Sequence, residues 1–295
     1  MQPGFVVPAS RPAARRALAL CLLGGTALVL AGCSSFEGLN PFGSEKYETK
    51  ILPDVPADDI YNQGLARLQG KDADGAAKKF GDLDKQFPFS DYSRKGLLMT
   101  TYAQYQGGNY SDAIQSAHRY SSLYPTSPDA PYAMYMEAMS YYNQVPDISR
   151  DQDQAQKALD LFTAISTKYP QSEYTTDSKY KIQVVRDQLA GKEMSVGRFY
   201  LERRNYTAAI NRFRNVVGKY QTTRHTEEAL ARLTEAYLAL GITNEAQTAA
   251  AVLGHNYPDS QWYKDSFALL KNDGLEPRED TGSMIYRTFH KLGLT

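Results

Sequence analysis

The spacing of apolar and polar positions changes character at Asp58. From there onward apolar and small residues recur at helical spacing, interrupted by short breaks that themselves recur. The clearest break is an aromatic residue, a proline and then a small polar residue: Phe87-Pro88-Phe89-Ser90, Tyr124-Pro125-Thr126-Ser127, Tyr169-Pro170-Gln171-Ser172 and Tyr257-Pro258-Asp259-Ser260. Tyr220-Gln221-Thr222-Thr223 is a degenerate copy without the proline. Proline just past a helix end, followed by a Ser, Thr or Asp able to cap the next helix, is a stop-start signal with a physical cause.

Aligning the segments on these breaks gives an internal test. Twelve residues before each proline, or before Gln221, stand Ala76, Ala113, Ala158, Ala209 and Ala246, small enough for two helices to approach. Eight before stand Phe80, Ala117, Phe162, Phe213 and Ala250; five before stand Leu83, Tyr120, Ile165, Val216 and Leu253. Fifteen aligned sites without a charged residue, in a chain that is 22% charged, mark repeating packing positions. Between the paired helices fall the turn signals Gly70, Gly107-Gly108-Asn109, Arg204-Asn205 and Gly241. The first two prolines are 37 positions apart, near the period of about 34 residues of tetratricopeptide (TPR) helix pairs. The expected fold is all-α, a right-handed solenoid of about five TPR-like helix pairs, with an irregular helical bundle as the alternative.

Two irregularities subdivide this pattern. The third pair carries extra residues around Gln144 to Asp153, where Pro146 breaks the helix; this loop is a candidate partner contact or simply tolerated surface. From Glu173 to Leu201 runs a long helical connector, with Gly191 as its candidate break. The expected organisation is an N-terminal unit over 57–172 (repeats 1–3) and a C-terminal unit over 173–271 (repeats 4–5 and a capping helix). The cap spans Gln261 to Lys271, with Trp262 on its apolar face, and a tail over 272–295 follows. Ile285, Phe289 and Leu292 in the tail lie at i, i+4 and i+7, the spacing of a short helix docking on this chain or on a partner; a disordered tail is the alternative.

The N-terminus has a different grammar. Arg11, Arg15 and Arg16 precede an apolar run from Ala17 to Leu30, and no acid occurs before Glu37. A basic segment, a short apolar core and small residues before a cleavage point describe a secretory signal, here residues 1–32. The run falls short of the ~20 residues a spanning helix needs. Leu30-Ala31-Gly32-Cys33 resembles the lipobox of bacterial lipoproteins, which implies that Cys33 carries the lipid and becomes the new N-terminus; an ordinary cleaved signal is the alternative. Two or more acyl chains hold firmly where one binds marginally. Residues 33–56 mix Gly, Pro, Ser and charge without periodicity and read as a lipidated flexible tether. Ser34, rather than an aspartate, follows Cys33, which by lipoprotein sorting rules favours the periplasmic face of the outer membrane.

Composition narrows the function. The chain has 33 basic and 33 acidic residues, and the signal removes three arginines and no acid, leaving a slightly acidic mature part. Nucleic acid is not an expected partner, since no clustered basic surface is indicated. With Cys21 in the signal and Cys33 lipidated, neither a disulfide nor thiol chemistry is available. His118, His225, His255 and His290 lack metal-ligand spacing, and neither a phosphate loop nor a nucleophile elbow occurs. Asp82/Asp84 and Glu227/Glu228 read as solvated helix faces. No cofactor is expected beyond the covalent lipid on Cys33. Solenoids act mostly by gripping partners, so a non-enzymatic binding role is expected.

The lipobox, tether and five helix pairs together resemble the BamD family of outer-membrane β-barrel assembly lipoproteins. Particular strings carry the resemblance: Phe87-Pro88-Phe89-Ser90-Asp91-Tyr92-Ser93, Met134-Tyr135-Met136, Tyr169 to Asp177 (YPQSEYTTD) and Ile210-Asn211-Arg212-Phe213. It covers about residues 57–257; the tail beyond Asp259 is longer than in familiar members. The resemblance implies a non-catalytic scaffold that binds the POTRA region of the barrel protein BamA, joins other Bam lipoproteins, and receives unfolded outer-membrane proteins. By motif it places Arg212, with Asn211, in the BamA contact, where a guanidinium can pair directionally with a carboxylate. For the substrate-receiving surface the expected residues are Tyr61, Phe87, Phe89 and Tyr92, because apolar pockets suit strands ending in aromatics. Another TPR lipoprotein adaptor, a secretin pilotin or a cell-wall and division coordinator, is the alternative, and an envelope hydrolase is a third reading.

Overall fold

The computed structural model describes residues 55–293. The signal, Cys33 and nearly all of the tether lie outside them. Every regular element among the described residues is helical. The helices are α1 (Ala57–Gln69), α2 (Ala73–Gln86), α3 (Asp91–Gln106), α4 (Tyr110–Leu123), α5 (Ala130–Tyr142) and α6 (Asp153–Lys168). They continue with α7 (Tyr174–Glu202), α8 (Tyr206–Lys219), α9 (Thr226–Ala239), α10 (Thr243–Asn256), α11 (Gln261–Asn272) and α12 (Met284–Lys291). Each of α1 to α10 packs on its chain neighbour; α1, α3, α5 and α7 also touch in succession, and α11 packs on both α9 and α10. This is a solenoid of helix pairs, α1–α2 through α9–α10, closed by α11.

The five stop-start steps build one turn five times. At each, the aromatic residue closes its helix by donating its N–H to the carbonyl four residues back: Phe87 to Leu83, Tyr124 to Tyr120, Tyr169 to Ile165, Tyr220 to Val216 and Tyr257 to Leu253, at 2.8–2.9 Å. Three residues on, Ser90, Ser127, Ser172, Thr223 and Ser260 return an N–H to the aromatic's carbonyl at 2.9–3.1 Å. The aromatic leaves the helix with φ between −127° and −137° in all five, out of the α region that a following proline disfavours. Tyr220, which precedes Gln221, adopts nearly the same geometry, so the turn outlives its proline. Ser90 then accepts the N–H of Ser93 and Ser260 that of Trp262, satisfying donors at the next helix start.

All fifteen aligned sites are completely buried, at 0% exposure. The small first position permits close approach, and twice the facing helix contributes a glycine. A Cβ on Gly64 of α1 would collide with the Phe80 ring, and one on Gly197 of α7 with the Phe213 ring. Both glycines lie sixteen residues before the phenylalanine they admit.

Three features refine the sequence expectations. First, α7 runs unbroken through Gly191, which is buried and lies close to the His225 imidazole, so its small size serves packing rather than a break. Second, the loop between α5 and α6 is fastened to α7: Gln188 Nε2 donates to the Pro146 carbonyl at 3.1 Å and Lys192 Nζ to that of Ser149 at 3.0 Å. Third, the tail docks on this chain. Gln247 Nε2 donates to the Glu276 carbonyl (2.7 Å), the Thr248 hydroxyl accepts the Asp280 N–H (3.1 Å), and the Ser283 hydroxyl donates to Glu245 (2.7 Å). These contacts lay the tail along α10 and deliver α12 onto α8 and α10, where Ile285 and Phe289 are fully buried in the core that α7 to α11 share. Leu292, the third residue of the expected stripe, stays half exposed. Trp262 packs against the same core and carries the Arg232 guanidinium over its ring at 5.1 Å.

Candidate functional site

The residues singled out from the sequence fall in two places, on α8 and around the α1–α3 end. Helix α8 is capped by Asn205, whose side chain accepts the Ala208 N–H at 3.3 Å, after Arg204 turns the chain through a left-handed φ of 59°. With Ala209, Phe213 and Val216 turned into the core, the opposite side of α8 faces outward. Asn211 is exposed there, and Arg212 beside it is 41% exposed at the side chain. Arg212 Nη1 sits 3.4 Å from both carboxylate oxygens of Glu193 on α7, and Asn215 Nδ2 donates to the same carboxylate at 3.1 Å. Both contacts from Arg212 run through one nitrogen and are long, so its remaining N–H groups are available to an incoming acceptor.

At the α1–α3 end, Tyr61 lies 5.5 Å from the Phe80 ring and 5.7 Å from that of Tyr92. Burial, with Tyr92 adding to it, raises the Tyr61 hydroxyl above its ordinary pKa. Phe87 packs half-buried against the same small core as Tyr61, whereas Phe89 projects fully into solvent beyond the turn. Thus Tyr61 and Tyr92 form one aromatic surface, bordered by the Lys95 ammonium 5.9 Å from the Tyr92 ring. Phe87 supports it from the edge of that core, and Phe89 stands apart.

Two strings that looked unrelated in sequence meet in space. Tyr135 of α5 stacks on Tyr174 of α7, with ring centres 5.0 Å apart, and its hydroxyl donates to Asp177 at 2.7 Å. Tyr132 joins the cluster 5.4 Å from Tyr174. Burial, followed by the neighbouring Glu173, pushes the Tyr174 hydroxyl up to about 12. These tyrosines stay neutral at physiological pH and join repeat three to the connector helix.

Two of the carboxylates expected in solvent are engaged. Asp84 meets Arg119 at 2.6 Å and accepts the Ser93 hydroxyl at 3.2 Å. Glu228 of α9, with 14% of its side chain exposed, takes both prongs of Arg198 from α7: Nε to Oε1 at 2.8 Å and Nη2 to Oε2 at 2.6 Å. Burial pushes the Glu228 carboxyl up, but Arg198 and then Arg232 outweigh it and hold it below its ordinary pKa. Helix-face periodicity places Glu228 at a helix start and says nothing of an arginine thirty positions earlier. Only the stacking of repeats brings the two together. Glu137 of α5 is the reverse case: burial raises its carboxyl, opposed by His118, 3.6 Å away on α4.

No helix among the described residues is long and apolar enough to cross a membrane. Residues 53–253 match a protein family, YfiO, described as outer membrane lipoprotein. The chain is similar to the outer membrane protein assembly factor BamD of Caulobacter vibrioides, 43% identical over 84% of this chain and 79% of that protein. It is similar to the same factor of Rickettsia prowazekii, 40% identical over 83% and 93%, and of Neisseria meningitidis serogroup A, 30% identical over 74% and 85%. Among solved structures, a kinesin light chain with TPR-like repeats from Podospora anserina aligns over 69% of this chain and 96% of its own, at 16% identity and a TM-score of 0.31, a match too loose to carry an argument. The Caulobacter and Rickettsia alignments are long enough to take in most of the helix pairs described above. By the extent and identity of these matches, the chain belongs to the BamD family of outer membrane protein assembly factors.

Proposed function

We propose that this chain is a non-catalytic scaffold of the β-barrel assembly machinery, held by lipid on Cys33 at the periplasmic face of the outer membrane. Its C-terminal repeats bind the POTRA region of BamA through Arg212 and Asn211 on α8, and other Bam lipoproteins join the same assembly. The observation that carries the reading is identity of 40–43% to BamD proteins over more than four-fifths of the chain. It is supported by a half-exposed Arg212 whose partner Glu193 fixes its direction without using up its donors. Unfolded outer-membrane proteins engage the Tyr61–Tyr92 surface, with Phe87 packed behind it and Phe89 as a separate exposed aromatic.

The test is affinity capture of the full-length lipoprotein from detergent-solubilised membranes. A co-purifying barrel protein with POTRA domains is expected. A secretin in its place would replace this reading with that of a pilotin. Substituting Cys33→Ser should release the protein from the membrane fraction; unchanged membrane retention would remove the proposed anchor.

A further inference from the structure

Four of the five helix pairs turn within three residues, whereas α5 and α6 are joined by the longer loop 143–152. Surface that is merely tolerated has no need of anchors, but this loop has several. Buried Gln152 straps it from inside, its Nε2 donating to the carbonyls of Asp147 at 3.0 Å and Arg150 at 3.2 Å, while Gln188 and Lys192 hold it to α7. Between the fastened loop and α7 lies a cavity of about 480 Å³, whose apolar wall is Tyr142, Val145, Pro146, Ile148, Val184 and Val185. That size falls among ligand sites, ~300–1,000 Å³, and a loop already held in place spares a ligand the cost of ordering it.

An uncompensated charge stands at the edge of this cavity. Lys181 lies on α7 one turn before Val184 and Val185, on the same face. Its ammonium sits 4.9 Å from the centre of the Tyr142 ring and 5.7 Å from that of the exposed Tyr180. The acids of α7 nearest to it in sequence are taken: Asp177 accepts the Tyr135 hydroxyl at 2.7 Å, and Asp187 pairs with Arg224 at 3.0 Å. The one carboxylate in the cavity wall, Asp147, is turned back on its own loop, where it accepts the Ser149 N–H at 2.8 Å.

We propose that this cavity is a binding site, separate from α8 and from the Tyr61–Tyr92 surface, for an extended peptide segment carrying an apolar side chain beside a carboxylate. The apolar side chain enters between the loop and α7, and the carboxylate meets Lys181 beside the Tyr142 ring. The wall also suits a peptide backbone. Gln188 spends its N–H groups on the Pro146 carbonyl and on Gln152, and Asn143 donates to the Tyr105 hydroxyl at 2.9 Å. Each therefore has its carbonyl oxygen to offer, an acceptor for the N–H of an extended chain. The site does not depend on what α8 binds.

The experiment follows the fluorescence anisotropy of a fluorescein-tagged pentapeptide with a central leucine–glutamate pair, titrated with the full-length lipoprotein in detergent. Leucine–glutamine and alanine–glutamate peptides are measured alongside, and Lys181→Met, Val184→Trp and Tyr61→Ala are compared with the wild type. Lys181→Met keeps an unbranched stem over the rings and removes only the charge, so its melting curve should overlay that of the wild type. Saturable binding of the leucine–glutamate peptide is expected. It should weaken on the order of tenfold in Lys181→Met, and equally for the glutamine peptide on the wild type. Val184→Trp, whose ring fills the cavity, should abolish it. No saturable binding to the wild type, or full affinity in a folded Lys181→Met, overturns the proposal. Equal affinity for the alanine–glutamate peptide reduces the site to a surface charge and overturns it too. Binding lost in Tyr61→Ala but intact in Lys181→Met would move the peptide to the Tyr61–Tyr92 surface, refuting this site and leaving that surface standing.

Discussion

Truncating Phe289 to alanine separates the tail from the solenoid. Phe289 and Ile285 are the two fully buried anchors of α12, and burying side chains of this size contributes about 1.5–3 kcal/mol each. In a closed core, Phe→Ala costs roughly 3–5 kcal/mol, because the cavity cannot collapse. Here a cheaper response exists. An eight-residue helix has little stability of its own, since isolated helices below about 12–15 residues are marginal. Once Phe289 is removed, α12 can melt locally instead of enduring the cavity. The loss of global stability is therefore capped at the docking energy of the tail, about 1–3 kcal/mol once ordering entropy has offset part of the gross burial. Hydrogen exchange read by mass spectrometry distinguishes these responses. In Phe289→Ala, amides of 285–291 should lose protection, those of α10 near Thr248 and Gln247 should lose some, and those of α1 to α6 should be unchanged. Amides of α12 that stay protected, with the whole protein destabilised in proportion, would refute the local-melting argument.

Other expectations follow from the same contacts. Gly197→Val places a branched side chain against the Phe213 ring; overpacking of this kind costs typically 1–3 kcal/mol, and a lowered urea midpoint should show it. Tyr135→Phe keeps the stack on Tyr174 but removes the hydrogen bond to Asp177, with an expected loss of about 1 kcal/mol in chemical denaturation. Glu228→Gln leaves Arg198 without its carboxylate. Because Arg198 is 42% exposed, the cost is held to about 1–2 kcal/mol, below that of a fully buried pair. The Glu228 carboxyl is held below its ordinary value of 4.5, so its contribution is present above that value and lost as pH falls through the lower folded-state value. Thermal melts from pH 6 downward should accordingly fall less steeply in Glu228→Gln than in wild type; equal slopes would exclude this linkage.

Much of the architecture is legible in the chain because the repeat constrains it five times over. Ala76 or Phe162 alone says little, but fifteen aligned sites define a buried seam, and every one of them is completely buried. The aromatic-proline step is similarly readable, since each part of its hydrogen-bond pattern has a residue type behind it. Contacts between repeats are not local, and they escape such a reading. Arg198 and Glu228 are thirty residues apart, and Asp84 finds Arg119 thirty-five residues on. Gly191 illustrates a different limit: glycine signals a break and a close approach equally well, and only the neighbouring His225 decides between them. The tail's stripe of Ile285, Phe289 and Leu292 announces a helix but not its seat, which depends on the groove that α8 and α10 create together. Of the site residues, Tyr61 and Tyr92 share a surface, while Phe87 is drawn toward the core and Phe89 away from it.

The central claim is that the outward side of α8 holds the barrel partner through Arg212. It is tested most directly by capturing wild-type and Arg212→Glu lipoproteins from solubilised membranes and quantifying the POTRA-bearing partner. Circular dichroism of the same preparations establishes that the helix pairs are intact. Reversing the charge should abolish most of the captured partner, with helicity and melting temperature close to those of the wild type. Partner recovered in full by a folded Arg212→Glu protein would contradict the claim.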